Sequence, residues 1–196
     1  MKVILFIIVM LVIIASFVMA LSNDRSVDVD EDTQQDGEVI NNQDQLMNTL
    51  KLTSSSFGNN GKIPERYTCD GEGVNPAFKI EGVDERASSL VLIMDDPDAP
   101  SGTWDHWVKF NISTSTTEIK EAAEPDGVFG VGTSGNKEYL PPCPPDREHR
   151  YFFKLFSLDV ELGLEEGATK KEVEKAMDGH ILQQAELIGL YERNSI

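Results

Sequence analysis

The sequence predicts a mainly β domain closed by one or two carboxy-terminal helices. Leu90-Val91-Leu92-Ile93-Met94 is a continuous apolar run, the pattern of a central strand buried on both faces. Trp107-Val108-Lys109-Phe110-Asn111-Ile112 alternates, and Tyr151 to Val160 reads as a third strong strand. Near the other end, Thr169-Lys170-Lys171-Glu172 sets a hydroxyl three residues before a carboxylate, the spacing of a helix capping box.

The chain opens on a segment of a different kind. Val3 to Leu21 is apolar except for Ser16, follows Lys2, and ends in Val18-Met19-Ala20, the small-residue pattern that a signal peptidase accepts. Its nineteen residues also approach the ~20 of a bilayer-spanning helix, so residues 1–21 are expected to be either a cleaved signal peptide or a retained membrane anchor. With Lys2 the only nearby cation and acids downstream, the rest of the chain is expected outside the membrane, secreted or tethered at the cell surface. Ser22 to Leu50 holds eight acids against Arg25 alone and too little apolar surface to fold, which makes residues 22–50 a disordered acidic linker. The folded domain is then 51–196.

A formal net charge of −17 argues against duplex nucleic acid as a partner, because such affinity comes largely from Lys and Arg on phosphates. It also argues against broad adhesion to anionic lipid, leaving the amino-terminal segment as the only membrane contact.

Within the domain, strand signals run from Lys51 to Asp159, separated by loops dense in Gly, Pro, Ser and Asn. The helix opening at Thr169 should stop near Gly179, with Val173, Ala176 and Met177 as its apolar stripe. His180 to Gln184 reads as a further short turn of helix, and Ala185 to Tyr191 as a last strand.

Cys69 and Cys143 are the only cysteines, and neither sits in a CxxC spacing. In an exported domain they make one disulfide; as two packed thiols they would be free, and alone they lack the ligands for zinc. The histidines fall at strand ends. Asp96 and Asp98 follow one strand, His106 opens the next, and His149 with Tyr151 opens a third, so adjacent antiparallel strands bring them together beside proline-stiffened loops. A carboxylate beside an imidazole favours its charged form, so Asp96 and Asp98 are expected to turn His106 and His149 into cationic N–H donors for phosphate or carboxylate. Asp-x-Asp with two histidines also suits a divalent metal, but no HxH or HxxxH spacing supports one. Ser101 or Thr103 near His106 would serve a hydrolase, though neither lies in a nucleophile elbow.

Read together, several segments resemble the phosphatidylethanolamine-binding protein family, in its bacterial and archaeal, Raf kinase inhibitor-like branch. They are Ile63-Pro64, Tyr67-Thr68-Cys69-Asp70-Gly71, Asn75-Pro76, Asp96-Pro97-Asp98-Ala99-Pro100, His106-Trp107-Val108, Pro142-Cys143-Pro144-Pro145, His149-Arg150-Tyr151 and Gly179-His180-Ile181-Leu182. The ordered set spans Leu52 to Arg193. The resemblance implies a large antiparallel sheet packed on a smaller one, in a sandwich with a carboxy-terminal helix. It also implies an anion pocket for phosphate, acetate or a phosphorylated head group, with Asp96, Asp98, His106, Pro142, His149 and Tyr151 as its residues. Family members are mostly described as binders and as kinase or protease inhibitors. The expectation is therefore a non-enzymatic binding protein with no cofactor or metal, which would modulate a protein partner. Inhibition through surface loops and an Asp/His-based hydrolase stand as alternatives, and homodimerisation is left open. Leu140-Pro141 and Asp146-Arg147-Glu148 depart from the family pattern at the pocket mouth, where the added acids are expected to alter anion preference.

Overall fold

The computed structural model describes residues 49–193. The predicted signal or anchor and the acidic linker, apart from its last two residues, lie outside the described residues. Leu50 lies inside them and is buried in the core, so packing begins just before Lys51. Among the described residues no helix is long and apolar enough to cross a membrane.

In chain order the elements are β1 (Lys51–Ser54), β2 (Gly61–Lys62), β3 (Phe78–Glu81), β4 (Ser89–Asp96), β5 (Trp104–Ile112), β6 (Glu118–Ile119), β7 (Val128–Phe129), β8 (His149–Leu158), α1 (Lys170–Met177) and β9 (Ile181–Tyr191). They form a six-stranded sheet ordered β2-β9-β8-β4-β5-β7 and a three-stranded sheet ordered β1-β3-β6. The larger sheet is mixed rather than wholly antiparallel, because the two-residue β2 runs parallel to β9 at its edge. The expected helical turn at His180 to Gln184 is absent. Ile181 already pairs with Leu158, and the ladder continues to His149↔Tyr191, so strand pairing decides that segment against its local pattern.

Strand β4 lies between β8 and β5, antiparallel to both, and all of its residues are buried. Its alternating sides fill two cores. Leu90, Leu92 and Met94 join Tyr151, Phe153 and Leu155 of β8 against Phe78, Ile80 and Ile119 of the small sheet. Val91 and Ile93 join Val108 and Phe110 beneath Val173 and Met177 of α1. This double burial explains the unbroken apolar run, and each such side chain contributes ~1.5–3 kcal/mol. The helix starts as its sequence predicts: the Thr169 hydroxyl accepts from the Glu172 amide, and the Glu172 carboxylate accepts from the Thr169 amide.

The β4–β5 ladder slips register twice. The pairings Leu90↔Ile112 and Leu92↔Lys109 bracket Asn111, which adopts φ 53° and binds Leu162 through both its amide oxygen and its amide nitrogen. The second slip lies between Met94↔Trp107 and Asp95↔Asp105 and leaves His106 without a cross-strand partner. Strict alternation would send His106 and Trp107 to opposite faces. The bulge instead turns both toward the core shared with the small sheet, where the His106 ring meets Tyr151 edge-on at 5.3 Å.

Candidate functional site

The carboxy-terminal end of β4 and the amino-terminal ends of β5 and β8 open on a cavity of about 530 Å³. Asp96, Ser101, His106, His149 and Tyr151 are its polar lining, with Ser101 at the exposed edge. Its apolar wall comes from Ala99 and Pro100 on the β4–β5 loop, from Trp104 at the start of β5, and from Leu140, Pro141 and Pro145 on the loop entering β8. Cys69 and Cys143 also line it and are joined in a disulfide with a Cα–Cα distance of 5.4 Å. Close by, the Cys69 amide donates to the Pro142 carbonyl, and the Tyr139 hydroxyl to the Tyr67 carbonyl.

Asp96 is buried and fully engaged. Its Oδ1 accepts the Asp98 amide at 2.8 Å, which shapes the turn, and its Oδ2 lies 2.7 Å from His149 Nδ1. His149 Nε2 lies 2.8 Å from Asp146 Oδ1, so both ring nitrogens face carboxylates. Burial of the ring opposes its charge, but hydrogen bonds and charge from Asp96 and Asp146 outweigh that and raise its pKa. His149 is therefore the cation of the site, with both N–H groups donating.

His106 differs from expectation. Its Nδ1 lies 2.9 Å from the Leu140 carbonyl, to which it donates. Burial lowers its pKa against the raising influences of that carbonyl and of Asp96 and Asp105. It is a neutral imidazole whose Nε2 carries a lone pair, so it is an acceptor and not a second cation. The carboxylates do not charge it because its ring is buried and its hydrogen bond goes to a neutral carbonyl.

Two further predicted residues are placed elsewhere. Asp98 is held by Arg150 through Nε and Nη2, both at 2.8 Å, and by the Arg150 amide at 3.0 Å; the guanidinium pulls its pKa down to about 2. It anchors the loop and does not line the cavity. Pro142 is buried behind the wall, while its neighbours Pro141 and Cys143 face the cavity. Trp104 and Pro145 line the cavity although neither is among the expected pocket residues. Their signal was their position, Trp104 two residues before His106 and Pro145 in the proline-rich loop before His149.

The Tyr151 hydroxyl is the one buried side-chain oxygen or nitrogen among the described residues without a hydrogen-bond partner. The Cys143 backbone lies nearby without reaching hydrogen-bond geometry, and burial followed by the Asp96 charge raises the phenol pKa, so the group stays a donor. A buried donor without an acceptor costs ~1–3 kcal/mol, and here it lies in the wall of a cavity. Among the described residues no group of three or more His, Cys, Asp and Glu side chains is arranged to hold a metal.

A family profile described as phosphatidylethanolamine-binding protein matches residues 53–192. The chain belongs to the phosphatidylethanolamine-binding protein family. A UPF0098 protein of Methanothermobacter thermautotrophicus is 50% identical over 150 residues, covering 74% of this chain and 99% of that relative. The crystal structure of a putative phosphatidylethanolamine-binding protein homolog from Chlamydia trachomatis has a TM-score of 0.73 at 44% identity, covering 75% of this chain and 99% of the other. E. coli YbcL, at 24% identity and a TM-score of 0.69 over 74% of this chain and 99% of its own, shares the fold. These relatives place the chain in the bacterial and archaeal branch of the family, as the sequence resemblance implied, and family membership supports a binding-protein role in coarse terms.

Proposed function

We propose that this domain is a non-enzymatic binding protein whose cavity takes a small oxyanion: phosphate, a carboxylate, or a phosphorylated head group. The observation that carries this reading is the unpartnered Tyr151 hydroxyl, a buried donor in the wall of a cavity that also holds cationic His149. In this reading Tyr151 donates to one ligand oxygen, and His106 Nε2 accepts from a protonated ligand oxygen or a head-group N–H. Asp96 holds His149, Asp98 fixes the loop through Arg150, and Pro142 shapes the wall from behind. A cavity of about 530 Å³ with mostly apolar walls suits an organic group attached to the anion better than a bare ion. Among the described residues no hydroxyl or thiol, the cavity-lining Ser101 included, is hydrogen-bonded to either pocket histidine, which favours binding over hydrolysis.

Histidine and tyrosine resonances followed during phosphate and acetate titration of the folded protein test the reading. Shifts at His106, His149 and Tyr151 are expected, and Tyr151→Phe should weaken phosphate binding about tenfold with little loss of stability, because the hydroxyl has no protein partner. No shift in any of the three rings would sink it. Whether the bound form acts on a kinase, a protease or a second copy of the chain is a separate question, for which pull-down with intact protein and with His149→Ala gives the answer.

A further inference from the structure

His149 makes contacts that a simple anion site does not need. Its side chain is fully buried, and both nitrogens are already taken by carboxylates, Asp96 at 2.7 Å and Asp146 at 2.8 Å. The two acids are unlike. The Asp96 side chain is 4% exposed and locked into a turn, whereas Asp146 is 44% exposed and lies on the loop that enters β8. A cation shared between two carboxylates has no N–H left for a third acceptor.

We propose that Asp146 is a built-in carboxylate ligand of His149 that an incoming oxyanion must displace, so that the cavity alternates between a latched and a ligand-bound form. The inference rests on the oxyanion reading and adds a device to it. Asp146 can leave because it is exposed and has a second partner: its Oδ2 meets Arg147 Nη1 at 2.8 Å, and Arg147 Nη2 donates to the Asp98 carbonyl at 3.2 Å. Arg147 can keep Asp146 paired once it has left the imidazole, which lowers the cost of opening. The latch also sets selectivity. A ligand that brings only one weak acceptor gains Tyr151 but does not displace Asp146, whereas a phosphate oxygen competes for the imidazolium as a charged acceptor of similar strength.

The test compares phosphate affinity, by calorimetry on the disulfide-intact protein, for wild type, Asp146→Asn and Glu148→Gln. Glu148 is the neighbouring acid, paired with Lys62 and not with His149, so it reports on charge alone. The latch predicts about tenfold tighter phosphate for Asp146→Asn and less than about twofold change for Glu148→Gln. Equal gains in both variants, or no gain in Asp146→Asn, overturn it. In wild-type protein the Asp146 carboxyl carbon must shift on phosphate saturation; a carboxyl that stays on His149 in the saturated protein also overturns the latch, with no variant involved. Absence of phosphate binding in all three proteins would remove the oxyanion reading itself, and the latch with it.

Discussion

Asp95 and Asp96 are chain neighbours with opposite tasks, because successive strand residues point to opposite faces. Asp96 faces the cavity and holds His149, while Asp95 faces α1 and meets Lys154 and Lys170. The two cavity histidines are equally opposed. His149 has a raised pKa, so its contribution to stability is complete below the unfolded value near 6.5 and is lost as pH rises through the folded value. His106 has a lowered pKa, so its contribution is present above 6.5 and is lost as pH falls through the folded value. Urea denaturation across pH should therefore show stability falling on both sides of about pH 6.5. His149→Asn should flatten the alkaline limb and His106→Asn the acid limb. A slope on the alkaline limb that survives His149→Asn would contradict the assignment of the site's cation.

At the scale of elements, the bulge near the start of β5 sets two aspartates directly opposite each other. Asp95 and Asp105 pair across β4 and β5, an unfavourable like-charge arrangement. Lys170, from the first turn of α1, relieves it by reaching Asp95 at 2.5 Å and Asp105 at 3.1 Å. The helix is thus clamped to the strand ends whose other faces carry Asp96 and His106. The Lys170 side chain is 13% exposed and Asp95 keeps Lys154, so Lys170→Met should cost about 2 kcal/mol, below the 3–5 of a fully buried broken pair. Lys170→Arg should restore most of that loss in the same urea measurement, and an undiminished stability in Lys170→Met would show that the clamp is not needed. The central strands β4, β5 and β8, the helix and its cap were legible in the sequence because apolar period and capping chemistry are local. The bulge was not, since nothing in His106-Trp107 states that the ladder skips a residue there.

Across the whole domain, two sheets and a helix are held by cores on both faces of β4, and the Cys69–Cys143 disulfide joins segments 74 residues apart. Closing a loop of that size gives the bond ~4 kcal/mol of stabilisation. Reduction, or the paired change Cys69→Ser with Cys143→Ser, should lower stability by about that amount and weaken phosphate binding, because both cysteines stand in the cavity wall. Calorimetry of the reduced and oxidised protein measures both effects, and identical phosphate affinity in the two would make the bond a staple with no part in the site. The sequence by itself determined the three central strands, the capped helix, the family and the strand-end cluster of Asp96, His106, His149 and Tyr151. Those follow from local patterns and from residue types at fixed order. Only the tertiary structure decided which histidine is charged, that Asp98 answers to Arg150, that Asp146 sits on His149, and that the Tyr151 hydroxyl is left without a partner. Each of these depends on burial and on distances between residues from different strands and loops, which linear spacing does not encode.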